Sequence, residues 1–124
     1  MAQAVSVVSP VATTVASRAA NAVVMNRVVL SAVLVEKMAM RYTPAGLPAL
    51  NVGLKHESTL SEDGQPRKVS MELRAVAIGS ITGALGKMVL GTEALFAGFL
   101  APARNGRGLL LHITSVDDLQ KAPD

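Results

Sequence analysis

From Leu50 to Glu57 apolar and polar positions alternate without a break. Leu50, Val52, Leu54 and His56 fall on one side, and Asn51, Gly53, Lys55 and Glu57 on the other. A period of two sends successive side chains to opposite faces of a strand, so this stretch predicts a strand with one face in a core and the other toward solvent. Alternation resumes from Lys68 to Ile78, with Val69, Met71, Leu73 and Ala75 facing one way and Ser70, Glu72, Arg74 and Val76 the other. Between them STLSEDGQPR, residues 58–67, is expected as a polar loop turning at Asp63-Gly64, which makes the pair a long antiparallel hairpin. Gly53 marks either a close backbone approach or a bend in a coiled strand.

Ahead of this hairpin, RVVLSAVLV at residues 27–35 is apolar on both faces and predicts a mostly buried first strand. One face can fill a core. The other must be covered, by a two-fold partner, by the N-terminal segment or by a neighbouring loop. Residues 36–41 extend this strand or begin a loop, and Pro44-Ala45-Gly46 with Pro48 is expected to stop regular structure. After the hairpin, GSITGALGKMVLG at 79–91 carries internal glycines that oppose a stable helix, leaving room for a short helical turn at 81–88 as a plug. Thr92 to Leu100 predicts strand four, with Leu95 and Phe96 near its centre, and Leu109 to Val116 predicts strand five. Between these two lies a basic, glycine-rich loop at 101–108 whose Asn105-Gly106 pair favours a tight hairpin turn. The elements sum to an all-β fold, a five-stranded OB-type barrel with at most a short helix between strands three and four. Another small β-barrel or a sandwich fragment would use the same strands.

Length allows one domain, assigned to residues 25–120, with a short C-terminal tail at 121–124. Residues 1–24 form an extension rich in Ala, Val, Ser and Thr, either disordered or preceding a natural start at Met25. Its single basic residue, Arg18, comes too late for the basic front of a secretory signal. No apolar run is long enough for a membrane helix without interruption by charge or glycine. The chain has no cysteine, which excludes disulfides and thiolate metal sites and suits a cytoplasmic location. With His56 and His112 far apart, no metal or other cofactor is expected. Neither a Gly-x-Ser-x-Gly elbow nor a P-loop is present, and nothing in the pattern indicates an enzyme. Twelve Lys and Arg against nine Asp and Glu give a net charge of +3, which permits a polyanionic partner without requiring one.

Four segments carry a family resemblance: Asn26-Arg27-Val28-Val29-Leu30-Ser31, Arg41-Tyr42-Thr43-Pro44-Ala45-Gly46-Leu47-Pro48, Leu54-Lys55-His56-Glu57, and Gly98-Phe99-Leu100 followed by Arg104-Asn105-Gly106. Their order and spacing over about residues 26–120 resemble the bacterial primosomal replication protein N family, relatives of the single-stranded DNA-binding proteins. Those general relatives usually end in a long acidic, glycine-rich tail that does not follow here, which favours the primosomal branch. The resemblance implies an OB fold, a homodimer, binding to single-stranded DNA, and contacts with the restart helicase and another primosome-loading protein during reassembly of replication at stalled forks. It implies no catalysis.

Single strands are held by cations along the phosphates and by flat rings under the bases. Candidate cations are Lys37, Arg41, Lys55, Arg67, Lys68, Arg74, Arg104 and Arg107. The last two flank the Asn-Gly turn, in a loop that the resemblance assigns to DNA. Rings are scarce. The strand-three position that carries a stacking tryptophan in relatives aligns with Val69, and the chain has no tryptophan. Tyr42 is the ring expected at the mouth of the groove, stacking on a base while Arg41 meets a phosphate, or else packing over the end of strand one. Phe96 and Phe99 are expected in the core, His56 as a partly buried, hydrogen-bonded histidine, and His112 as structural. Three readings remain open on these residues: a single-stranded DNA-binding subunit, a primosomal protein adaptor with only weak DNA contact, and a general single-stranded DNA- or RNA-binding OB protein.

Overall fold

The computed structural model describes residues 23–119. Expectations for residues 1–22 of the extension and for the tail at 121–124 lie outside the described residues. The elements in chain order are β1 (Val28–Lys37), β2 (Arg41–Tyr42), β3 (Pro48–Glu62), β4 (Gln65–Ile78), the helix α1 (Ile81–Lys87), β5 (Glu93–Pro102) and β6 (Leu109–Asp118). Hydrogen bonding runs in the order β1-β5-β6-β4-β3-β2, and β1 also pairs with β3, which closes the sheet on itself. All pairs are antiparallel except β4 with β6. Five long strands with one short helix between the third and fourth make the expected OB barrel, with β2 as a two-residue addition.

Alternation builds the core as the sequence dictates. Leu50, Val52 and Leu54 from β3, Ala75 and Ala77 from β4, Leu34 from β1, Phe96 from β5 and Leu111 from β6 close on one another, and Leu85 of α1 plugs the end. His56 is buried at the upper margin of this core. Its Nδ1 lies 2.6 Å from the Ser31 carbonyl and its Nε2 2.8 Å from the Ser58 hydroxyl, which satisfies both ring nitrogens.

Several boundaries move. The expected polar loop at 58–67 is strand: β3 and β4 stay in register from Ala49↔Ile78 to Glu62↔Gln65, and only Asp63-Gly64 turns. Both turn residues have positive φ, 53° and 76°, the geometry of a two-residue hairpin whose twist matches its strands. The loop expectation fails because polarity marks exposure, and both faces of this ribbon are exposed. Pro48 opens β3 rather than stopping regular structure. It pairs with Tyr42 at the sheet edge, where its missing N–H costs no ladder bond. The Asn105-Gly106 pair does not make a two-residue turn. The β5–β6 ladder stops at Pro102↔Leu109, leaving a six-residue loop closed by the Ala103 N–H on the Gly108 carbonyl.

Two bulges set directions. Between Leu34 and Glu36, Val35 is the extra residue opposite Gly53–Leu54. A Cβ on Gly53 would stand 3.3 Å from Glu36, so the close approach anticipated at Gly53 is a side chain laid over it at the bulge. Between Ala97 and Gly98 the β5–β6 register shifts by one, and Thr114 is the residue left over. That shift lets Leu111, Ile113 and Val116 all turn to the core although their spacing breaks the period of two.

Candidate nucleic-acid interface

On the outer face of the barrel one row of side chains crosses four strands. Register places Asn51 of β3 beside Val76 of β4, Val76 beside His112 of β6, and His112 beside Phe99 of β5. Paired residues share a face, so all four side chains lie on the outer face of the sheet, where Val76 is covered by its neighbours. Arg41 is tied to the row from β2: its Nε and Nη2 donate to Asn51 Oδ1 at 3.1 and 2.9 Å. That fork fixes the guanidinium while its remaining N–H groups stay available.

A groove of about 440 Å³ opens over this row, lined by Arg41, Asn51, Val76, Ile78 and His112, with Pro44 at one rim and Pro102 and Arg104 at the other. Its rims are the β2–β3 turn and the β5–β6 hairpin. The turn is held by the Thr43 N–H on the Leu47 carbonyl and the Gly46 N–H on the Thr43 carbonyl. Arg107 is exposed in the same hairpin, where its backbone N–H donates to Asn105 Oδ1 at 2.8 Å. Apolar floor, two fixed rims and an arginine from each side are the features that suit a flat-sided polyanion.

The other expected cations spread out. Arg74 is exposed two positions along β4 from Val76, on the same face, opposite Gly53. Lys55 shares that face, with Nζ 4.0 Å from Glu57 and Glu72 across the ladder. Lys37 is engaged within the fold. Its Nζ donates to the Gly86 and Met88 carbonyls at 3.0 and 2.8 Å, capping the C-terminal end of α1. Arg67 is ion-paired with Glu62 near the tip of the β3–β4 ribbon. Val69 lies opposite Ser58, and Lys68 opposite Thr59. Seven residues separate Ser58 from Asn51, about 23 Å of strand. The structure therefore brings Arg41 and Arg104 together on one groove, with Arg74 beside it, and leaves Arg67, Lys68 and Val69 on a separate arm.

Rings are redistributed too. Tyr42 is 69% exposed, but it follows Arg41 on a strand, and alternation turns it to the face opposite the groove. Phe99 is not in the core as expected. It is 39% exposed and stacks on His112, with ring centroids 4.8 Å apart and planes within 12°. Phe96, three residues earlier, is fully buried as expected. The missed signal was parity: Phe96 and Phe99 differ by an odd number and cannot face the same way on one strand.

Among the described residues no cluster of potential metal ligands occurs, and no helix is long and apolar enough to cross a membrane. The family described as another single-strand binding protein family matches residues 26–115. A replication restart protein PriB of Bordetella pertussis is 52% identical over 80 residues, covering 64% of this chain and 75% of that protein. The solved structure of the protein PriB from Ralstonia solanacearum aligns with a TM-score of 0.72 at 34% identity, over 77% of this chain and 99% of that one. A single-stranded DNA-binding protein of Thermus aquaticus aligns with a TM-score of 0.60 at 26% identity, over 77% of this chain and 50% of that one.

Proposed function

The chain belongs to the single-strand binding protein family and, within it, to the PriB replication restart proteins, and from that premise we propose that it is a non-enzymatic subunit that holds single-stranded DNA across the outer-face groove during replication restart. The observation that carries this is the convergence of Arg41 and Arg104 from opposite rims onto a largely apolar groove. Cations on both rims follow a phosphate chain, and the floor leaves space for bases between them. Arg74 and Arg107 extend the positive track at its two ends. On this reading Lys55 is a peripheral contact, and Lys37 serves the fold.

The working form is a homodimer. Val29 and Val35 of β1 are 51% and 45% exposed, and Val89 and Leu90, before β5, are 72% and 51% exposed. The two regions adjoin, since the Gly91 N–H donates to the Leu34 carbonyl. A second copy would remove this apolar surface from water. The restart helicase and another loading protein are the protein partners, in the cytoplasm.

A competing reading, an adaptor with feeble DNA contact, draws on the valine at position 69 in place of the tryptophan. Titration of labelled oligonucleotides at two salt concentrations separates the two. A DNA-binding subunit binds at low salt, and Arg104→Ala with Arg107→Ala lowers the slope of log affinity against log salt by at most about 1.4, at roughly 0.7 for each phosphate no longer neutralised. Negligible binding at low salt would establish the adaptor instead.

A further inference from the structure

Gly98 is the tightest position in the barrel. A Cβ there would lie 1.7 Å from the His112 carbonyl oxygen and 2.8 Å from its carbon, backbone atoms that cannot step aside. Only glycine lets β5 approach β6 this closely, and it does so at the register shift between Ala97 and Gly98. Bulges re-aim the side chains beside them. Here the next residue is Phe99, laid nearly parallel on His112.

The consequence is a pair of rings outside the core, at the edge of the apolar floor. His112 lines two hollows, the groove of about 440 Å³ that contains Arg41 and Arg104 and a second of about 240 Å³ that contains Phe99 and Thr114. Val76 and Ile78 line both as well, so the two hollows lie side by side over β4 and β6. A large aromatic side chain is ordinarily worth burying. This one stands half-exposed on the outer face by strand alternation, and the close β5–β6 approach at Gly98 sets it against His112, beside a groove with cations on both rims.

We propose that Phe99 and His112 form the base-stacking platform of the groove, the site at which a nucleobase continues the ring stack while Arg41 and Arg104 hold the flanking phosphates. This rests on the groove being the single-strand site. It accounts for how a chain without tryptophan, and with Val69 on a distant arm, engages bases. Stacking requires a π face and no particular base, so the platform is indifferent to sequence.

The test compares two strands of equal length, one with bases and one abasic throughout. The wild type is expected to prefer the base-bearing strand by on the order of fivefold or more, the range of a single base–aromatic contact. Phe99→Leu should erase that preference while leaving affinity for the abasic strand unchanged, and Phe99→Tyr should restore it. His112→Leu, which removes the neighbouring ring without touching Phe99, should reduce the preference and serves if Phe99→Leu does not fold by circular dichroism. Arg41→Ala with Arg104→Ala should weaken both strands by similar factors. If the arginine pair weakens both strands yet the preference survives in Phe99→Leu and His112→Leu, the platform is refuted and the groove stands. If the wild type binds neither strand, or the arginine pair weakens neither, the groove reading fails and the platform with it.

Discussion

Strands β3 and β4 build two different regions with one ladder. Below His56, β3 is hydrogen-bonded on both sides, to β4 throughout and to β1 or β2 over part of its length, and one of its faces is closed by the core. Above His56 the same two strands pair only with each other. There Leu60 is 58% and Met71 38% exposed, and almost every residue from Thr59 to Ser70 faces solvent. The lower part supplies a rigid floor on which Asn51, Val76, His112 and Phe99 stand in fixed register. The upper part is a ribbon with no packed surface beneath its side chains, where Arg67 is held only by its exposed ion pair with Glu62. Pre-organised groups lose less entropy on binding than free ones, so cations of equal charge should contribute unequally in the two regions.

The largest effect belongs to the floor. Gly98→Val forces a side chain into the His112 backbone, and at least about 4 kcal/mol of stability should be lost, read as a collapsed urea midpoint or no folded protein at all. Gly64→Val at the ribbon tip, where open space surrounds the turn, should cost only the strain of its positive φ, about 1–2 kcal/mol. Next is a matched leucine pair. Leu54→Ala empties a fully buried site, and about 3 kcal/mol should be lost. Leu60→Ala, in the same strand six residues on, should stay within about 0.5 kcal/mol. Equal costs in chemical denaturation would mean that the ribbon is packed in solution.

Binding effects follow. Arg41→Ala with Arg104→Ala should reduce oligonucleotide affinity at low salt by on the order of tenfold or more and flatten the salt slope by up to about 1.4. Arg67→Ala with Lys68→Ala should shift both quantities by less than half as much, since Arg67 is already paired with Glu62. Reversal of that order in a salt titration would move the DNA to the arm. The smallest effect is Lys37→Met. It removes two hydrogen bonds from the end of α1, lowering stability by about 0.5–1.5 kcal/mol, and it should leave the salt slope untouched.

The contrast also explains what was legible in the residues alone. Periodicity identified the core of β3 and β4 and an all-β barrel, because burial on one face writes the alternation, whereas the short helix at 81–88 was only what a glycine-rich stretch left room for. It misread 58–67 as a loop, because a ribbon exposed on both faces has no reason to alternate. A DNA role for the hairpin's arginines came from the family resemblance, while the β2–β3 turn and the β5–β6 hairpin were recognisable as turns from their glycines and prolines. The partners of individual side chains were not. Lys37 reaches a helix 49 residues away in sequence, and Phe99 meets His112 only through a one-residue register shift. Both depend on how distant strands align, which a local pattern does not encode.

In the proposed binding mode the outer-face groove, rather than the ribbon, receives the single strand. Amide chemical shifts of isotope-labelled protein, followed during titration with an oligothymidine, read both regions at once. Large shifts are expected at Arg41, Asn51, Val76, His112 and residues 104–108, with residues 58–70 nearly unmoved. Large shifts confined to residues 58–70, with the groove silent, would place the strand on the ribbon and contradict the groove.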